Sequence, residues 1–142
     1  MLAQMQTELV ARLEQLLPDT VRVLTSDDLG DLTEDRMPTP TVHLIYRGEQ
    51  VLETRPDGYS ARTASSWLVV AVVANQRRGS SNEAEASATE LQDRIRPGLM
   101  GWRPQCANGP LMLATPPAPA MTSACFYLPT VFTVETIVHA NH

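Results

Sequence analysis

The chain of 142 residues contains no lysine; its 11 basic side chains are all arginines, scattered along the sequence. The formal net charge is −5, so the clustered cations that grip nucleic acid by neutralising phosphates are missing, and that class of function is excluded. Two cysteines, Cys106 and Cys125, are too few for a disulfide framework, and free buried thiols are expected. The 7 glycines stand apart from one another, in neither a GxGxxG nor a Walker pattern, which excludes the familiar phosphate loops. No apolar run approaches the roughly 20 residues of a membrane span. Met1-Leu2-Ala3-Gln4-Met5 has no basic segment leading into an apolar run, so no secretory signal is expected and the reading is a soluble intracellular protein.

Chemistry-bearing residues are also sparse. His43, His139 and His142 have no ligand spacing with each other or with the cysteines. Cys125 with His139 is the nearest approach to a nucleophile–base pair, but nothing in the sequence positions the two. Asp27-Asp28-Leu29-Gly30-Asp31 lacks the alternating oxygens of a calcium loop, so a solvated loop is expected there. Glu83, Glu85, Glu90 and Asp93 spread along one solvated helix face. No cofactor or metal is expected, and the residues point away from an enzyme.

What is present is organised around residues 67–104. Trp67-Leu68-Val69-Val70-Ala71-Val72-Val73-Ala74 is apolar on both alternating faces, so it reads as a strand buried on both sides. Trp67 is taken as core. Ser80 and Glu83 form a capping-box signature for a helix over about 81–96. Its stripe is Ala84, Ala88, Leu91, Ile95 and Leu99, with Glu90 and Arg94 paired outside. Pro97-Gly98 is expected to stop it. Trp102, between Gly101 and Arg103-Pro104, is expected to fold back under the sheet. Trp67, Leu91, Ile95 and Trp102 are thus the candidate structural core.

Around this unit, Leu2, Met5, Leu9, Leu13 and Leu16 trace a first helix ended by Pro18, with Glu8 and Arg12 paired on its outer side. Val21–Leu24 is a short strand, and 25–40 is polar and turn-rich. Thr41–Arg47 is a strand, Gly48-Glu49 a turn, Val51–Thr54 another strand, and Pro56-Asp57-Gly58 a turn with a mechanism. The polar stretch 48–66 reads as a projecting hairpin. Leu111–Leu113, Cys125–Leu128 and Val131–Val138 are further strands, with Pro129 marking a bulge or edge. Pro116–Pro119 is a stiff connector. The 11 prolines imply numerous fixed loops. The fold class is therefore α+β in a single domain over 1–142: a mostly antiparallel sheet flanked by two main helices, with a polar hairpin.

This order of features resembles the tail terminator (tail completion) proteins of long-tailed bacteriophages, in particular a Mu-like branch. The likeness rests on the leading helix, the polar hairpin and the long apolar strand ending in an Arg-rich turn. It also rests on the Ala-rich helix running into Leu99-Met100-Gly101-Trp102-Arg103-Pro104, and on Phe126-Tyr127 with Val131–Val134. The resemblance implies a hexameric ring of copies that caps the tail tube, stops its polymerisation and meets the neck or head-completion protein. DNA would pass through the lumen only transiently, and no membrane would be involved. The location implied is the head-proximal end of the virion tail, with assembly in the host cytoplasm. Two other readings stay open: another head–tail connector, or a small ligand-binding or enzymatic α+β domain.

The candidate interface residues come from charge and position. Arg47, Glu49, Glu53, Arg55 and Arg62 give the hairpin a mixed-charge surface suited to a copy of itself. Arg77 and Arg78 are the only adjacent arginine pair, at the mouth of the central strand.

Overall fold

The computed structural model describes residues 1–75 and 81–142, with only the backbone placed for Ser81 and Asn82. The Arg77-Arg78 turn and the Ser80 cap lie outside the described residues. Three long strands form the body: β2 (Thr41–Thr54), β3 (Ser60–Ala74) and β6 (Cys125–His139). They pair antiparallel in the order β2-β3-β6. A short β1 (Arg22–Thr25) extends the sheet parallel to β2, while β4 (Met112–Ala114) and β5 (Ala120–Met121) pair with the outer side of β6. Helices α1 (Leu2–Leu16) and α3 (Ser81–Leu99) pack on one face. The expected α+β class, mostly antiparallel, describes this architecture.

Side-chain alternation sets the two faces. Trp67, Val69, Ala71 and Val73 of β3 join Val42, Leu44, Phe126, Phe132 and Val134 beneath the helices. The stripes Met5-Leu9-Leu13 and Ala84-Ala88-Leu91-Ile95-Leu99 meet them there, all buried. The alanines early in α3 let its backbone lie close to the sheet. On the other face Val70, Val72 and Cys125 form a smaller cluster under Met37, Leu68, Ala124 and Tyr127. The central strand is thus covered on both sides, by helices on one face and by irregular chain on the other.

Several expectations need correction. Gly48-Glu49 is not a turn: β2 is continuous, and Gly48, at φ 110°, absorbs a bulge where the register to β3 shifts. Residues 125–139 are likewise one strand. Pro129 falls where β6 has no outer neighbour, between the β5 pairing at Tyr127 and the β4 pairing at Val131, so no ladder bond is lost on that side. The hairpin strands do not stand alone: β6 accompanies β3 to its start, with His139 opposite Ser60. The loop over 25–40 contains a one-turn helix α2 (Ser26–Leu29), begun by a Thr25–Asp28 capping box.

The end of α3 also differs. The helix carries Pro97 in its last turn and continues to Leu99. At Gly98 a Cβ would run into the methyl groups of Leu16, so glycine is what lets α1 and α3 approach. Arg12 does not pair with Glu8. Its Nε and Nη2 donate to the Gly98 carbonyl at 3.2 and 3.0 Å, satisfying one of the free carbonyls at the helix end. Gly98→Val should therefore cost about 1–3 kcal/mol through overpacking. Chemical denaturation of the variant checks this, and Gly109→Ala is a control because nothing lies near that Cβ.

Candidate assembly surface

The exposed end of the sheet carries most of the charged residues singled out from the sequence. Every residue from Glu49 to Tyr59 is exposed. Gly58, at φ 75°, closes the turn, and its N–H donates to the Arg55 carbonyl at 2.8 Å. Here Arg55 pairs with Asp57 at 3.4 Å. Arg62 lies half-buried on β3, where its Nη1 donates to Glu135 at 2.8 Å and its Nη2 sits 3.9 Å from Glu53. Glu135, on β6, was not singled out from the sequence; only the strand register places it beside Arg62. Arg47 and Glu49 are exposed and form no ion pair among the described residues. Exposed pairs such as Arg55–Asp57 contribute little to folding, so this surface is free to serve contacts.

Beneath it the sheet is tied by short side chains. The Thr63 and Thr136 hydroxyls bond across strands at 2.9 Å, and Trp67 Nε1 donates to Ser65 Oγ at 3.0 Å. Trp67 is fully buried against Tyr46, with ring centroids 5.2 Å apart. Leu91 and Ile95 are buried under α3. Trp102 lies elsewhere than expected: it is half-buried against α1, with the Arg12 guanidinium 5.4 Å above its ring, not under the sheet. The Glu90–Arg94 ion pair is not formed among the described residues.

Two carboxylates hold loops in place, and sequence reasoning missed both roles. Glu8 accepts from the backbone N–H groups of Gln105 at 2.6 Å and Cys106 at 3.1 Å. Burial raises its pKa, but these donors together outweigh that and hold it below the usual carboxylate value. Burial and the nearby Glu8 push the Cys106 thiol up to about 11, so it is an unreactive thiol. Glu34 accepts from the Tyr127 hydroxyl and from Thr122 Oγ1, latching the 25–40 segment over the second face.

The Tyr127 and Thr122 hydrogen bonds lower the Glu34 pKa below 4.5. A carboxyl lowered on folding adds stability above its unfolded value, and that contribution is lost as pH falls through the folded value. Glu34→Gln should therefore flatten the acid limb of a melting-temperature profile below pH 4.5 while leaving its shape near neutrality. An unchanged acid limb would show that the latch does not form.

Among the described residues the catalytic groupings weighed from the sequence do not converge. Cys125 and His139 stand at opposite ends of β6, roughly 45 Å apart at about 3.3 Å per residue. His43 is buried, its Nε2 has no partner, and burial holds its pKa below the usual histidine value, which keeps the ring neutral. Among the described residues no three of His, Cys, Asp and Glu gather as metal ligands, and no helix is long and apolar enough to cross a membrane.

No curated protein matches the sequence. A family model described as phage tail terminator protein matches residues 2–142, from the start of α1 to the last residue. The match spans all the elements described above, and the chain belongs to the phage tail terminator protein family, a family of structural components of the phage tail.

Proposed function

We propose that the chain assembles into a homo-hexameric ring that caps the finished tail tube, stops its polymerisation and presents the joining surface to the neck or head-completion protein. The observation that carries this reading is the family match over residues 2–142. The exposed end of the sheet supports it, since residues 49–59 serve no core of the chain's own. In the assembled virion the ring sits at the head-proximal end of the tail, after assembly in the host cytoplasm. Its work is structural. An acidic chain without lysine does not hold back DNA threading the lumen, because like charges repel. The subunit and tube contacts are assigned to Arg47, Glu49, Glu53, Arg55 and Arg62, together with Arg77 and Arg78. A Mu-like origin fits the same reading.

Tube-subunit polymerisation tests the capping. Substoichiometric protein should shorten the tube-length distribution, and tubes that keep growing past bound protein would overturn the reading. Binding to a portal complex without any effect on tubes would move the chain to the head side of the neck. Arg77→Glu with Arg78→Glu should weaken ring formation or capping in a salt-sensitive way, with thermal unfolding of the monomer nearly unchanged. Equal capping by variant and parent at low and high salt would remove that pair from the interface.

A further inference from the structure

The sheet has two edges that end in open backbone. On one side β1 covers β2 only from Thr41 to Leu44, so residues 45–54 have no strand beyond them among the described residues. On the other side β4 ends the sheet among the described residues, and no backbone hydrogen bond among them reaches Met112–Ala114 from outside. The contrast is the rest of β6. Beyond β4 its outer edge is closed by Asn108, whose N–H donates to the Glu135 carbonyl at 2.9 Å and whose Oδ1 accepts from the Ile137 N–H at 3.2 Å. Open edges are templates for another chain, and proline, lysine or covering chain usually blunts them. Residues 45–54 contain neither proline nor lysine; the register to β3 shifts between Tyr46 and Gly48 and again between Val51 and Glu53, so the edge is bulged on either side of Gln50 and Val51.

The two edges match in chemistry. Val51 and Leu52 are 59% and 38% exposed, and Met112 and Leu113 are 58% and 36% exposed. Val51 opposes Thr63 and Leu113 opposes Phe132, which puts both on the helix-covered face. Leu52 and Met112 line one trough on the open face. An antiparallel alignment with Val51 opposite Leu113 therefore sets Leu52 opposite Met112, with apolar contact on both faces. The strand directions allow it: β2 and β4 run oppositely within the sheet, so sheets continued in the same sense meet antiparallel. Pairing two β2 edges about Val51 would instead set Arg47 on Arg55 and Glu49 on Glu53, like charge against like. Met112–Ala114 carries no charge.

We infer that the open edge of β2 around Val51 pairs antiparallel with β4 of a second copy, so that neighbouring subunits share a continued sheet. This rests on the ring reading above. The two edges are different surfaces, so the joint repeats head to tail, the kind of contact that closes into a ring.

Cross-linking tests it in the full chain. Val51→Cys with Leu113→Cys, oxidised by copper phenanthroline, should give a ladder of disulfide-linked species up to the ring, whereas neither single variant should. The native thiols compete poorly, because Cys125 is buried and Cys106 is half-buried and raised to about 11. A dimer from Val51→Cys alone would replace the joint with symmetric β2 pairing. If the double variant forms the parent ring by native mass spectrometry but does not cross-link, the edge joint is wrong and the ring stands. A chain that stays monomeric at every concentration overturns both.

Discussion

Trp67→Ala should lower folding stability by about 3–5 kcal/mol, the range for deleting a large buried aromatic. The site has no slack. Trp67 is 0% exposed, lies directly opposite Phe132 on β6 and meets the ring of Tyr46 of β2 in a tilted contact, so all three long strands meet at this ring. Truncation opens a cavity between α1 and the sheet and leaves Ser65 Oγ without its indole donor. Trp67→Phe keeps most of the ring and loses the N–H, so its cost should be smaller, about 0.5–1.5 kcal/mol if that bond is its main loss. Urea unfolding followed by far-UV circular dichroism measures both without relying on the indole. A loss below about 1 kcal/mol for the alanine variant would contradict close packing there.

Leu91→Ala should cost about 2–5 kcal/mol, because Leu91 lies on the buried stripe that seats α3 on β3 and β6. Its neighbour Glu90 is exposed, so Glu90→Ala should stay within about 0.5 kcal/mol. The pair reads the rotational phase of the helix. Equal effects would mean that α3 does not present Leu91 to the sheet.

Periodicity carried the buried parts of the fold. The stripes of α1 and α3 and the two-faced apolar run of β3 are local patterns, and their residues occupy the faces the spacing implies except at the ends, where Leu2 and Ala74 are exposed. Breaker residues misled for a physical reason. Gly48 and Gly98 look like stops, yet each fills a position where the tertiary structure needs it, a bulge and a close helix crossing, while Pro129 sits at a gap in the outer edge, as its edge reading implied, without dividing the strand. Long-range bonds had no local signal at all. Glu8 meets the 105–106 backbone and Glu34 meets Thr122 and Tyr127, partners about 90 residues away in the chain. The candidate surface was legible as a polar stretch between two strands, because exposed strand loses its apolar alternation. The pairing of Arg62 with Glu135 was not, because it depends on the β3–β6 register.

The central claim is assembly into a closed ring, and the mass of the species in solution tests it most directly. Native mass spectrometry of the purified chain, across a concentration series and at low and moderate salt, should resolve a dominant hexamer of the 15.6 kDa subunit. Open chains of increasing length should be absent, because a head-to-tail contact that closes leaves no free end. A monomer at every concentration, or a continuous ladder without a preferred closed species, would contradict it.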